Sequence, residues 1–360
     1  MKKKGKLILE NGSTYEGDLF GATDKSVSGE VVFNTSMTGY PESLSDSSYE
    51  GQILVCTYPI IGNYGLPSEE VDPKTGLPLY LESPDLHPRA LIVHDYTDAY
   101  SHWNAVESLS EGLKRHGVVG LTGIDTRELT KQIRDHGPMV GKLLVDDQDI
   151  DFFQTDEVNL VAKVSTPEVI HFPKEGAKRV VLVDCGAKEN IIRMLLQRDV
   201  DLTIVPWDYD FTSLEYDGLF ISNGPGNPMH CTPLIERVKQ VIDSGDKPIG
   251  GICMGNQIMA LSIGAKVEKM KFGHRSSNQP VRLCGTDRCF ITSQNHGFAV
   301  DSTTLPSGWR PYFENLNDGS NEGIIHESGK YFSVQFHPEC HGGPMDTEFF
   351  FDDYTKLLNS

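Results

Sequence analysis

The chain has 360 residues, 38% of them hydrophobic and 23% charged, with 51 acidic against 32 basic side chains and a net charge of −19. That length suits two domains; the acidic balance argues against binding nucleic acid or an anionic membrane, and no apolar run approaches the roughly 18 residues that span a bilayer. Seven scattered cysteines, an odd number without a Cys-x-x-Cys pair, fit reduced thiols in a cytoplasmic protein better than a disulfide framework.

Met1-Lys-Lys-Lys4 has the charge of a signal-peptide start, but only Leu7-Ile8-Leu9 follow before Glu10-Asn11-Gly12, too few for a signal core. Residues 1–150 read as a mixed α/β domain that opens with a hairpin, because Asn11-Gly12 favours a tight primed turn. Further strands are expected at Gly29–Phe33, Ile53–Thr57 and Ala90–Val93. A helix is expected over Trp103–His116, stopping before Gly117, and another from Thr126 to Ile133. No metal spacing, phosphate loop or dinucleotide fingerprint occurs in this half. Residues 151–176, within an acidic and irregular stretch, read as a linker.

From residue 177 to 360 strands alternate with helices, the pattern of a doubly wound parallel sheet of flavodoxin-like type. Strands are expected at Arg179–Val183, Asp201–Val205 and Gly218–Ser222, with a helix over Asn190–Arg198. The third strand runs into Asn223-Gly-Pro-Gly226, a fixed turn at a strand end, where sites gather in such sheets. Ile249–Ile252 is a short apolar strand, and after Cys253 apolar residues recur at Met254, Ile258 and Leu261 with helical spacing. Cys253 therefore sits on a sharp strand-to-helix corner, with Gly251 and Gly255 where the backbone is too close for a Cβ. Helix N-terminal amides there favour a thiolate, and the Met254 N–H would meet an oxyanion.

Tyr331–Phe336 alternates as a strand and ends in His337-Pro-Glu339, which places an imidazole and a carboxylate on one side of extended chain. A base oriented by a carboxylate is what a thiol needs to react at neutral pH. A metal site from His337, Glu339, Cys340 and His341 is the competing reading; its spacing is crowded and Pro338 breaks the alignment, so no metal site is assigned. Ser293–Phe298, after the strand Cys289–Thr292, reads either as a turn or as a wall of a substrate pocket.

Gly251-Ile-Cys-Met-Gly-Asn-Gln257, with Phe336-His-Pro-Glu339 and Asn223-Gly-Pro-Gly226, resembles the class I (triad) glutamine amidotransferases over most of residues 178 to 355. The N-terminal half narrows the resemblance to the small-chain family of carbamoyl phosphate synthetases. The segments that carry this are Glu30–Glu42, Thr57-Tyr-Pro with Gly62-Asn-Tyr-Gly65, Gly123–Leu129, Asn159-Leu-Val and Ser293–Asp301. The resemblance implies Cys253 as nucleophile, His337 as general base and acid, and Glu339 as the residue that orients it. It implies glutamine held by Ser48, Gly224, Gly226, Met254, Gln257, Asn295, Gly297 and Phe298. Ammonia would leave through a glutamyl thioester and pass to a large partner chain in a heterodimer or a higher oligomer of it. ATP and a divalent metal would be bound by that partner, and no cofactor by this chain. The carbamoyl phosphate formed with bicarbonate would serve pyrimidine or arginine synthesis in the cytoplasm.

Four positions depart from the family pattern: Met254 for Leu, Asn256 for His, Arg275-Ser-Ser for a His-Gly-Gly-like run, and Ser47 for a proline before Ser48. None is in the triad. Two other readings stay open at this stage. One is a free-standing γ-glutamyl hydrolase or cysteine peptidase of the same fold, and the other a binding subunit with a spent site.

Overall fold

The structure is a computed structural model that describes residues 3–359, so the first two residues of the Lys-rich start and Ser360 lie outside it. The chain divides between Val158 and Asn159 into two compact units. Residues 151–176, read as a linker, are shared between them. Those after Val158 carry a short helix, α4 (Val161–Val164), and a strand, β12 (Ile170–Phe172), of the second unit.

In the first unit β1 (Lys4–Leu9) and β2 (Thr14–Gly21) form the expected antiparallel hairpin. Gly12 takes φ 87° at its turn, and the Asn11 side chain accepts from Ser13 N. Next come β3 (Val27–Asn34), α1 (Tyr40–Leu44), β4 (Gln52–Cys56), β5 (Ile60–Ile61), β6 (Leu66–Pro67), β7 (Ala90–Ile92), β8 (Asp95–Tyr96) and β9 (Ala105–Glu107). The unit ends with α2 (Leu109–Arg115), β10 (Val119–Thr122), α3 (Thr126–His136) and β11 (Met139–Val145). Seven strands close into a barrel in the order β1-β11-β3-β4-β7-β10-β2, the first strand pairing with the last. Alternate residues along each strand serve two cores. Val31, Ile53, Val55 and Ile92 cluster with Leu129 and Ile133 of α3, while Val32, Leu54 and Leu91 cluster with Leu109 and Leu113 of α2.

The helix expected over Trp103–His116 is shorter than its apolar spacing suggests. Ser108 caps α2 in a reciprocal capping box with Glu111, which fixes the start at Leu109; Ala105–Glu107 before it is strand, and Trp103 is 79% exposed.

The second unit continues with β13 (Arg179–Asp184), α5 (Glu189–Leu196), β14 (Asp201–Pro206), β15 (Gly218–Ile221), α6 (Thr232–Ser244), β16 (Ile249–Ile252) and α7 (Met254–Ser262). It closes with β17 (Val267–Leu283), β18 (Cys289–Val300), β19 (Trp309–Asn315), β20 (Asn321–His326), β21 (Tyr331–Val334) and α8 (Phe349–Leu357). All its strands join one sheet of ten, ordered β12-β14-β13-β15-β16-β21-β20-β19-β17-β18. The run from β14 to β21 is parallel, as expected of a doubly wound fold; the antiparallel extension from β20 to β18 was not foreseen.

Near-continuous apolar strands reflect burial on both faces. Leu219 and Ile221 of β15 pack in a cluster with Leu234 and Val238 of α6 and Ile258 of α7. Phe220, between them in sequence, turns to the other face, stacked on Phe351 at 5.8 Å with its edge contact to Tyr354 at 5.0 Å. Ser293–Phe298 is neither turn nor loop. It lies inside β18, because its polar side chains find partners across a long ribbon with β17.

Candidate active site

The site is built on two neighbouring parallel strands, β16 and β21, whose carboxyl ends open side by side. Cys253 follows β16 and caps α7 with φ 53° and ψ −98°, a conformation that costs a non-glycine residue on the order of 1–3 kcal/mol. Its surroundings hold it there: Cys253 N donates to Val334 O at 2.8 Å, and Gly255 N donates to Ser222 O at 3.1 Å. A Cβ on Gly255 would lie 2.3 Å from Ile221 O, and one on Gly251 would lie 2.9 Å from the carbonyl carbon of Gly255, so the corner admits glycine alone at both flanks. The Met254 N–H, at the first turn of α7, is one of the amides that helix geometry leaves without an internal acceptor.

His337 lies three residues past the end of β21, and its amide donates to Ser293 O at 2.9 Å. Its Nδ1 lies 2.6 Å from Glu339 Oε1, and both side chains are buried. Nε2 has no hydrogen-bond partner among the described residues. Burial works against a charged imidazole here, as does a nearby ammonium. The Glu339 carboxylate, helped by the Cys253 side chain, outweighs both and raises the His337 pKa to about 10. Glu339 itself is held below its ordinary range: burial pushes it up, but His337 and the ammonium prevail.

That ammonium belongs to Lys188, which sequence reasoning missed. Its Nζ lies 3.1 Å from His337 Nδ1 and 3.3 Å from Glu339 Oε1 in a buried position. A single lysine four residues past the end of β13 carries no periodic or spacing signal. Its address at a strand's carboxyl end, next to the Gly-Pro-Gly turn, is the one feature that could have marked it. Asn190 Nδ2 donates to the Glu339 carbonyl and fixes the turn after His337.

The remaining expected residues are placed as follows. Gly224 lies where a Cβ would come 2.2 Å from Cys185 O, and Gly226 takes φ 80°. Gln257 Nε2 donates to Phe298 O at 3.2 Å and to Gln335 Oε1 at 3.3 Å, tying α7 to β18. The Asn295 carbonyl lies 3.7 Å from Cys253 Sγ, and Gly297 and Phe298 follow along the same strand. Met254 is buried in the apolar core. Asn256, which replaces the usual histidine, accepts from Ser333 Oγ at 2.8 Å and donates to Gln335 Oε1 at 3.1 Å, so its amide is satisfied while fully buried. Ser48 belongs to the first unit, buried in the single turn Ser47–Tyr49 with its amide donating to Asp46 at 2.9 Å.

A pH dependence of stability follows. His337 is raised in the folded chain above its ordinary value of 6.5, so the stability it contributes is fully present below about 6.5 and is lost as pH rises toward about 10. Urea midpoints measured from pH 6 to pH 10 should fall more in the wild type than in Glu339→Gln, where the imidazolium has lost its partner.

Comparison with known proteins agrees with this geometry. A model described as carbamoyl-phosphate synthase small chain, CPSase domain, matches residues 7–143, and one described as glutamine amidotransferase class-I matches residues 181–357. The carbamoyl phosphate synthase arginine-specific small chain of Saccharomyces cerevisiae is 47% identical over 361 residues, covering 98% of this chain and 88% of its own length. The chain belongs to the carbamoyl-phosphate synthase small-chain family. Longer relatives agree. Multifunctional protein CAD of Squalus acanthias is 52% identical over 97% of this chain, and the carbamoyl-phosphate synthase [ammonia], mitochondrial, of Aquarana catesbeiana is 49% identical over 98% of it. The chain spans only 16% and 24% of the length of those two proteins. Like the small-chain family, it joins a small-chain CPSase domain to a class I glutamine amidotransferase domain. No described helix is long and apolar enough to cross a membrane.

Proposed function

We propose that the chain is the glutamine-hydrolysing subunit of a cytoplasmic carbamoyl phosphate synthase. The observation that carries this is the buried His337–Glu339 pair at the end of β21, beside the strained Cys253 corner at the end of β16. Cys253 gives its thiol proton to His337, Sγ attacks the side-chain amide carbon of glutamine, and the oxyanion is met by the Met254 N–H. His337 then gives a proton to the departing nitrogen, the C–N bond breaks, and ammonia leaves a glutamyl thioester. Water, deprotonated by His337, cleaves the thioester to glutamate and restores the thiol. Glu339 and Lys188 hold the imidazole in orientation. Gly224, Gly226, Gln257, Asn295, Gly297 and Phe298 surround the substrate in this unit; Ser48 rests on the resemblance alone.

The ammonia is delivered to a large partner chain, which supplies ATP and metal chemistry and joins it to bicarbonate. Glutamine hydrolysis by the purified chain, alone and with a large synthetase chain, ATP and bicarbonate, tests this. Low activity that rises at least about tenfold in the mixture is expected. High activity indifferent to the partner would instead mark a free-standing hydrolase. The intact Cys253, His337 and Glu339 set speaks against a spent site; failure of Cys253 to label with a glutamine-like electrophile would support one.

A further inference from the structure

A second buried polar cluster lies in the same unit, beside the triad but not part of it. His274 of β17, Gln294 and His296 of β18 and Glu322 of β20 are all at most 5% exposed. One ligand-type atom from each of His274, His296 and Glu322 falls within 4.8 Å of the others. His274 and His296 are direct partners across the β17–β18 ribbon. The pairing slips on both sides of His274, between Lys269 and His274 and again between Ser276 and Gln279.

With both imidazoles neutral, donors and acceptors in this cluster do not match; a second imidazole proton or a bound cation is needed between them. Thr292 Oγ1 gives its single proton to Gln279 O at 2.9 Å, so it can only accept from Gln294 Nε2, 3.1 Å away. That fixes the Gln294 amide and turns its Oε1 inward, 2.9 Å from His274 Nδ1 and 3.1 Å from His296 Nε2. The other nitrogen of each ring faces an acceptor: His274 Nε2 lies 2.8 Å from Asp318 Oδ2, and His296 Nδ1 lies 2.8 Å from Phe298 O. With the ring protons on those outer nitrogens, the inner ones present lone pairs to an amide oxygen. Glu322 Oε1, 3.3 Å from His274 Nδ1, adds a charged acceptor. Asn315 Nδ2 donates to Glu322 Oε1 at 2.9 Å, while Glu322 Oε2 has no hydrogen-bond partner among the described residues. Acceptors converging in a buried site without a positive centre between them would be destabilising.

An imidazole whose outer N–H is held by a carboxylate or a backbone carbonyl is the arrangement in which proteins present histidine to a metal. Zinc bonds of about 2.0–2.2 Å in a tetrahedron put ligand atoms roughly 3.3–3.5 Å apart; three of the inner separations here are 2.9, 3.1 and 3.3 Å, and the His274, His296 and Glu322 atoms all lie within 4.8 Å of one another. We propose that His274 Nδ1, His296 Nε2, the Glu322 carboxylate and Gln294 Oε1 form a binding site for one divalent transition-metal ion, zinc being the best match to this donor set. Four protein ligands close the coordination shell, so the ion braces the fold and does no chemistry. What it braces is close to the reaction: His296 follows Asn295, whose carbonyl lies 3.7 Å from Cys253 Sγ.

The test uses the full chain, expressed with zinc in the medium and dialysed, with metal measured by inductively coupled plasma mass spectrometry. About one zinc per chain is expected, falling at least about tenfold in Glu322→Gln and in His274→Asn. Zinc added to the chelator-stripped wild type should raise its melting midpoint by several degrees. Cobalt(II) added to the same protein should give tetrahedral absorption bands without a thiolate charge-transfer band. Wild type free of metal and unmoved by zinc would overturn the proposal and leave a second imidazole proton as the positive centre. A cobalt–thiolate band, or equal zinc in the variants, would overturn it in favour of cysteines elsewhere. Should either variant fail to fold, the wild-type stoichiometry and cobalt spectrum decide alone.

Discussion

Replacing Cys253 by alanine is expected to abolish glutamine-dependent carbamoyl phosphate synthesis by the complex while leaving ammonia-dependent synthesis intact. The sulfur is the atom that bonds to substrate, and the described groups around it offer no substitute nucleophile in its place: its neighbours there are the Asn295 carbonyl and the His337 imidazole. A loss of at least about 10³-fold in the glutamine reaction is the scale for removing a covalent nucleophile. The corner itself should survive. Its hydrogen bonds to Val334 and Ser222 are made by backbone amides, and an alanine keeps them. The measurement is the rate with glutamine against the rate with ammonium salt in one preparation. Loss of both would mean that the substitution disturbs the partner chain, and retention of the glutamine rate would remove Cys253 from the mechanism.

His337→Asn should cost the glutamine reaction a similar factor, and the double variant Cys253→Ala/His337→Asn scarcely more than either alone. Nucleophile and base act as a unit, so once either is gone the other has nothing to do. Asparagine can still donate toward Glu339, but it cannot shuttle a proton between thiol, leaving nitrogen and water. The Lys188 ammonium, 3.3 Å from Glu339, keeps the buried carboxylate from being stranded, so the variant should remain folded. Rates of the three variants, with melting midpoints as a control, check this. A double variant whose loss is the product of the single losses would show two independent contributions and break the proposed pair.

The corner was legible in the sequence because its constraints are local. An apolar strand, glycines two residues either side of a cysteine and an immediate switch to helical spacing leave few other readings, and Cys253 has the positive φ they imply. His337 and Glu339 were legible for the same reason, two residues apart at a strand end. Lys188 was not: a lone lysine is ordinarily solvated, and only the fold brings it to a buried carboxylate 151 residues further on. The barrel was hidden because its closure pairs β1 with β11, the two ends of the unit, and no pattern within a strand encodes its partner. Of the two readings of Ser293–Phe298, the turn was wrong; it arose because buried polar residues there break the alternation that marks a strand. His274, Gln294 and His296 turn toward one another inside the sheet instead of facing water.

The order of strands also bears on how the second unit is made. The last strand in the chain, β21, sits in the interior of the sheet, between β16 and β20. Until it is synthesised and inserted, both neighbours present open edges, and the apolar run Ile249–Ile252 lies along one of them. Such edges recruit strands from other chains. The nascent protein therefore spends the synthesis of everything between Cys253 and Tyr331 in a state prone to aggregation, and long-range parallel pairing of this kind is slow. The event that ends this exposure is also the one that brings His337 to Cys253. A chain able to hydrolyse glutamine is then one whose sheet has already closed, and folding yields and catalytic competence should appear on a single clock.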